Sequence, residues 1–518
     1  MVKKLAKRDR KDYTEEVAAE AQFASNKGDL RAVYSAKGKL ANSKKSIPPL
    51  IDRDGKIITT DDGQLNCWAD YFENNANVET DVVNAEDDGP RRLNPNRSIT
   101  TDTPTESEIA EAMGRLKSHK SAGADGIQPE LLKYGADVLA IAICPIIREI
   151  WNSGEIPSMW KDGIIVTLPK KGNLGYCANW RGITLLNTIQ KVLAFIILNR
   201  ISSPLNEQLR NEQNGFRPGR SCVDHINTTR ILIEQSVEWR SPLFLLFVDF
   251  ERAFDTIKQN SVWSCLKRRG VPQKIVDLIK SLYRDADCSV RFKGKLSRKF
   301  KINAGVRQGC VLSPLLFITV LDEVLQKTNE ECSEGIQWTP FEKLSDLDYA
   351  DDICLMTHSL QGVKNKLEVL AANASRIGLN INLKKTKLLR VQTTDTNPLY
   401  IGIDNSTLKI DDVDEFCYLG SMVSKNGGTD HDVDARINKA RQAFYRLHSI
   451  WRTSAINKQT KIRVFNTCVV PLLLYSAETW RVARSTTHKL QVFVNKCLRR
   501  IQKIFWPNKV SNEELWRI

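Results

Sequence analysis

The chain has 518 residues, with 76 Lys and Arg against 61 Asp and Glu and a formal net charge of +15. That length exceeds one ordinary domain and implies a large core divided into subdomains. The basic balance suits a polyanionic partner. The 12 cysteines form no CxxC pair and no Cys/His cluster at zinc spacing, which argues against a structural zinc site. They read as reduced thiols of an intracellular protein, in the nucleus, the cytoplasm or both. The longest apolar stretches, 138–147 and 464–475, are too short or too interrupted to span a bilayer, so no membrane partner is expected.

Along the chain, the basic stretch 3–11 has no apolar core behind it, which argues against a secretory signal; it suits a solvated helix end better than nuclear import or RNA contact. Residues 13–40, rich in Ala and charge, read as helical. A helix over 61–72 would present Trp68, Tyr71 and Phe72 as an apolar side for packing on the body that follows. Residues 75–104 are acidic, carry Pro and Asn and lack periodicity, as a linker does. Thr105 and Glu108 then make a capping box, and Ile109, Ala112, Met113 and Leu116 form the buried face of the helix it starts.

The run 243–248 is continuously apolar, as a fully buried strand is, and ends abruptly in Asp249. About a hundred residues on, Tyr349-Ala350-Asp351-Asp352 stands between Leu347 and the apolar run 353–356. Two acids at the joint of two strands read as a hairpin with both carboxylates at its tip. Acidic pairs also occur at 61–62, 87–88 and 411–412, and Asp favours turns, so the pair alone does not identify a site. Three acids gathered by neighbouring strands repel one another, and a divalent cation is the simplest remedy. Hard oxygen ligands in small number suit Mg²⁺, two ions of which, held roughly 3.5–4 Å apart, serve phosphoryl transfer.

The C-terminal region carries 17 Lys and Arg against 5 Asp and Glu between 431 and 518, most of the excess charge of the chain. Ile437, Ala440, Phe444, Leu447 and Trp451 recur at helical spacing, with Arg436, Lys439, Arg441 and Arg446 largely off that stripe. Trp451, Tyr475, Trp480, Phe505 and Trp506 are interleaved with the charge and suit packing between helices better than base stacking.

The tetrad at 349–352 resembles the polymerase signature of reverse transcriptases, and further motifs follow in family order. Lys-Ser-His-Lys-Ser-Ala-Gly-Ala-Asp-Gly (117–126), Leu-Pro-Lys-Lys-Gly (168–172) and Asn-Trp-Arg-Gly-Ile-Thr-Leu-Leu (179–186) resemble the fingers of non-LTR (LINE-like) retrotransposon enzymes. Asn-Gly-Phe-Arg-Pro-Gly-Arg (214–220), Val-Asp-Phe-Glu-Arg-Ala-Phe-Asp (248–255) and Gly-Val-Arg-Gln-Gly-Cys-Val-Leu-Ser-Pro (305–314) come next. Gly-Leu-Asn-Ile-Asn-Leu-Lys-Lys-Thr-Lys (378–387) and Phe-Cys-Tyr-Leu-Gly (416–420) close the series. The resemblance is strong over about 105–430 and looser beyond.

It implies an α/β right-hand polymerase fold: an N-terminal extension and linker (1–104), fingers (105–240), an antiparallel palm sheet with packing helices (241–430) and a basic helical thumb (431–518). It implies an RNA-directed DNA polymerase with Asp249, Asp351 and Asp352 as catalytic metal carboxylates for two Mg²⁺ ions, Mn²⁺ being a substitute. Phe254 takes the place of the side chain that crowds the 2′-position and favours dNTPs over rNTPs. Arg181 matches the arginine that holds the triphosphate, with Lys170 beside it. Gln308 and Gly309 match the segment along the nucleotide, where glycine lets the backbone approach closely. Lys385 matches the proposed proton donor to pyrophosphate; beside Lys384 and Lys387 it is equally readable as a basic surface residue. Phe250 would offer a metal only its backbone carbonyl.

The implied partners are an RNA template, which would be the element's own RNA, a primer that is DNA or a nicked chromosomal end, and dNTPs. Such elements usually encode an upstream endonuclease, for which 1–104 is too short, and the chain stops at 515–518 within a helical, charged pattern. The expectation is a partial copy of a longer polyprotein. Two rival readings are a non-catalytic nucleic-acid-binding relic and an intron-encoded maturase. The intact Asp249, Asp351 and Asp352 argue against the first, and the segments 416–420 and 472–480 favour the LINE-like group over the second.

Overall fold

Six consecutive apolar residues, Leu243–Val248, form a strand in which every side chain is buried. This strand is the middle of a five-stranded sheet. Asp352–Thr357 and Lys387–Val391 flank it, both antiparallel. Asp346–Tyr349 extends the sheet on one side as a hairpin, and Asp411–Val413 adds a parallel edge on the other. A strand covered on both faces needs no polar alternation, which is why the run reads as unbroken. Phe244, Leu246 and Val248 join Ile353, Leu355 and Leu388 in the main core, with Leu316 and Phe317 of helix Ser313–Glu331 and Leu367 and Leu370 of helix Leu360–Arg376.

This computed structural model describes residues 2–26, 35, 38–39, 48–52, 54–77, 99–403, 406–454 and 456–517. They fall into two units, one within 47–225 and 242–413, the other within 1–46, 226–241 and 414–518. One boundary between the units, after 241, lies within a residue of the division read at 240. Of the linker read over 75–104, residues 78–98 lie outside the described residues, as does most of 27–40. The helix expected from residue 13 is present as Val2–Asn26. Among the described residues no helix is long and apolar enough to cross a membrane.

In the first unit a second sheet carries the hairpin of Gly163–Pro169 with Trp180–Leu186, and Asp287–Phe292 runs parallel to its first strand. Helix Asp61–Ala76 packs on this sheet through the apolar side expected of it. Trp68 is fully buried, stacked on Phe72 at 5.9 Å and edge-on to Trp180 at 5.6 Å. The capping box forms as read: Thr105 Oγ1 accepts from Glu108 N at 3.2 Å, and Glu108 Oε2 accepts from Thr105 N at 3.0 Å. The motif at 117–126 is docked on the end of strand Trp180–Leu186. Asp125 Oδ2 accepts from Thr188 N at 2.8 Å, and a Cβ on Gly123 would lie 2.5 Å from Leu186 O.

In the second unit, helices Asp430–Arg446, Lys458–Cys468 and Arg484–Gln502 enclose Ile437, Ala440, Phe444, Leu447, Trp451, Phe465 and Phe493. The apolar stripe is therefore the packed face. Arg436 departs from the expectation that it lies off this stripe. It is buried, its guanidinium 4.2 Å over the Tyr475 ring and 3.6 Å from the buried Asp432. Asp432 is also met by Arg230 at 3.1 Å and by Trp480 Nε1 at 2.8 Å. Trp451, Tyr475 and Trp480 thus serve packing, whereas Phe505 and Trp506 are exposed.

Candidate active site

The central strand and the hairpin beside it set the three aspartates. Val248 pairs with Ile353 in antiparallel register, so the next step along each strand puts Asp249 beside Asp352. The turn that carries Asp351 passes through Ala350 at φ +58°. Asp352, although exposed at the head of its strand, is pushed up to about 6 by partial desolvation and then by the negative charges of Asp351 and Asp249. Burial also raises Asp351; the Asp249 charge adds to this, and the Arg181 charge opposes it. The three carboxylates therefore lie in one another's fields. Among the described residues, however, no three His, Cys, Asp or Glu side chains are gathered closely enough to enclose a metal as they stand.

The loop 378–387 runs along Asp249. Asp249 O accepts from Asn382 N at 2.7 Å, and Phe250 bridges Ile381, which spends part of its backbone on that loop. Lys385 Nζ reaches Asp249 Oδ2 at 3.1 Å.

The residues assigned to the nucleotide gather around Asp255. Arg181 is exposed on strand Trp180–Leu186, opposite Leu168. Burial, and then repulsion from Arg181, push Lys170 below the ordinary lysine range, and the Lys385 charge adds to this. Burial raises Asp255, opposed by its hydrogen bond from Gln308 Nε2 at 2.8 Å and by the charges of Arg252, Lys170 and Arg181. Gln308 is thus committed through its side chain to Asp255 and through its carbonyl to Thr184 N at 2.7 Å. Gly309, at φ +124°, is needed for a reason not legible in the sequence: a Cβ there would lie 2.3 Å from Thr184 O. The close approach is to the protein's own backbone. Phe254 is half-buried, stacked on Phe317 at 4.3 Å and edge-on to the exposed Phe216 at 6.2 Å.

Sequence reasoning assigned no role to Arg210 or Gln213. Arg210 is a half-buried hub, bonded to the fully buried Asp322 at 3.1 Å, Asp346 at 2.7 Å and Asp348 at 2.5 Å. Asp346 and Asp348 belong to the strand that leads into the Asp351 turn. Gln213 precedes the motif at 214–220 and touches that turn directly.

Residues 168–423 match the family profile described as reverse transcriptase (RNA-dependent DNA polymerase), and 443–475 match a domain of unknown function. The chain is 25% identical over 86% of its length to a probable RNA-directed DNA polymerase from transposon BS of Drosophila melanogaster, covering 50% of that protein. It is 27% identical over 67% of its length to a Pol polyprotein from the retrotransposable element R2 of Popillia japonica, covering 48% of it. A 149 kDa transposon TX1 protein of Xenopus laevis is 26% identical over 69% of this chain, which covers 27% of that protein. The chain thus spans half or less of the length of these relatives. Residues 168–423 thus carry a reverse transcriptase domain, similar to those of polymerases from transposons and retrotransposable elements.

Proposed function

We propose that this chain is an RNA-directed DNA polymerase that joins a primer 3′-hydroxyl to the α-phosphate of a dNTP opposite an RNA template, releasing pyrophosphate. The observation that supports this most is the Val248–Ile353 register, which sets Asp249 beside Asp352, with Lys385 3.1 Å from Asp249. The template is the RNA of a mobile element, a reading that rests on the names of the relatives, and the primer a nicked DNA end, as the resemblance of the motifs to LINE-like enzymes implies.

The donor set is all hard oxygen, with neither sulfur nor imidazole, and fits Mg²⁺ or Mn²⁺. Asp249, Asp351 and Asp352 would hold two such ions, which when bound activate the attacking oxygen and neutralise the leaving one. The remaining roles belong to the chain itself. Arg181 and Lys170 hold the triphosphate, a task suited to cations kept close together, Arg181 on its strand and Lys170 just past the end of the paired one. Phe254, braced by Phe317, leaves no room for a ribose 2′-hydroxyl. Gln308 keeps Asp255 turned away from the sugar. Lys385 supplies a proton to departing pyrophosphate.

The test is Mg²⁺-dependent extension of oligo-dT on poly-rA with dTTP, beside a double variant Asp351→Asn, Asp352→Asn. Extension that the double variant abolishes supports the proposal. Salt-sensitive binding of the substrate with no extension overturns it in favour of a nucleic-acid-binding relic.

A further inference from the structure

We propose that Gln213 is a positioning residue for the polymerase reaction, holding the turn that carries Asp351 and Asp352 through the backbone amide of Ala350. This rests on the reading of those aspartates as metal carboxylates. Residues 212–214 run beside the edge strand Asp346–Tyr349, with Gln213 bridged in parallel to Asp348. Asp348 N donates to Glu212 O at 3.0 Å and Asn214 N to Asp348 O at 2.8 Å. The segment thereby covers an edge that would otherwise expose its backbone groups.

The Gln213 side chain, fully buried, then reaches past this pairing to the turn. Its Oε1 accepts from Ala350 N at 2.9 Å and from Gly215 N at 2.8 Å. Ala350 is itself buried and held at φ +58°, a conformation that L residues keep only where the surroundings impose it. Without Gln213 its amide would be a buried donor lacking a partner, and the turn would be free to relax. Gly215 makes the approach feasible, because a Cβ there would lie 2.2 Å from Ala350 N.

The brace is anchored from behind. Arg210 ties it to Asp322, Asp346 and Asp348. Arg217 donates to Arg210 O at 2.6 Å, Gln213 O at 2.9 Å and Asn206 O at 2.8 Å. Gln213 Nε2 has no hydrogen-bond partner among the described residues. What the turn uses is the acceptor oxygen alone, so an acid at this position retains the function and an isosteric thioether does not.

The test compares wild type with Gln213→Met and Gln213→Glu on poly-rA/oligo-dT, alongside Mn²⁺ binding to the protein without substrate and thermal unfolding. For a Gln213→Met protein that unfolds cooperatively, kcat is expected to fall at least about tenfold, KM for dTTP to stay within about twofold, and half-saturating Mn²⁺ to rise several-fold. Gln213→Glu is expected to recover most of the rate. If Gln213→Met does not fold, Gln213→Asn, which withdraws the acceptor by one methylene, is expected to show the same pattern more weakly. Wild-type kcat and Mn²⁺ affinity in a folded Met or Asn variant overturn the proposal. So does a Gln213→Glu protein no better than Gln213→Met. A wild type that binds Mn²⁺ through Asp351 and Asp352 but extends no primer overturns the polymerase reading; weaker Mn²⁺ binding in Gln213→Met then still supports the positioning role.

Discussion

Lys385 Nζ stands 3.1 Å from Asp249 Oδ2, so a cation carried by the loop 378–387 meets the carboxylate that ends the central strand. The same loop is registered on Asp249 by its backbone, which makes the pairing a consequence of chain path. Two roles are separable by substitution. Lys385→Arg keeps the charge beside Asp249 but is a far weaker acid, and Lys385→Ala keeps neither. Both are expected to lower single-turnover dTTP incorporation by about 100-fold or more, the scale of a lost general acid. Full activity in the Arg variant would mean that Lys385 only neutralises Asp249.

Phe254 is wedged between Phe317 and Phe216 and has little freedom to swing aside. Phe254→Ala is expected to lower the ratio of kcat/KM for dTTP over UTP by about tenfold or more, through gain of UTP use. Steady-state incorporation of each nucleotide on poly-rA measures it. An unchanged ratio would show that sugar selection lies elsewhere.

Asp352 gives a pH dependence whose sign can be worked out. Its ordinary value is 3.8, and partial desolvation with the Asp351 and Asp249 charges lifts it to about 6. Between these values the folded protein keeps a proton that the unfolded chain has lost. Without divalent ions, the stability from this group is therefore gained as pH falls through 6 and lost as pH rises through it. A metal needs the ionised form, so half-saturating Mg²⁺ is expected to rise by about tenfold per pH unit below 6. Thermal unfolding and Mg²⁺ titrations from pH 5 to 8 read both trends, and Asp352→Asn should flatten them.

Arg210 meets three carboxylates whose side chains are fully buried. Burial and the neighbouring Asp346 charge hold Asp348 well above the ordinary carboxylate range. Arg210→Met is expected to cost about 3–5 kcal/mol, the scale of removing one partner from a buried ion pair. Urea unfolding measures the loss. A change below about 1 kcal/mol would mean that the acids relax by taking up protons.

Helices Asp430–Arg446 and Arg484–Gln502 border a groove of about 830 Å³ lined by Arg441, Lys489, Lys496, Arg499 and Arg500. Replacing Arg441, Lys496 and Arg500 by Gln is expected to reduce the slope of log K against log salt for template–primer by about 0.7–0.9 for each phosphate no longer neutralised. Fluorescence anisotropy across a salt series reads the slope. An unaltered slope would remove these side chains from the nucleic-acid path.

The sequence by itself determined the features that depend on near neighbours. A six-residue apolar run stopped by Asp249, two acids between short strands, and the Thr105 capping box each follow from local periodicity and hydrogen-bonding chemistry. The stripe from Ile437 to Trp451 and the apolar side of 61–72 were legible for the same reason. Tertiary structure alone decided which distant groups meet. Gln213 and Ala350 are 137 residues apart, and nothing local marks a glutamine as the acceptor for that amide. Arg436 looked solvent-facing by spacing, yet Asp432 and the Tyr475 ring made its burial tolerable. Gly309 was readable as a close approach, but only the fold decided that the approach is to Thr184. Periodicity tells which face of an element is apolar; the partner waiting on that face is set by how the sheets and helices close around one another.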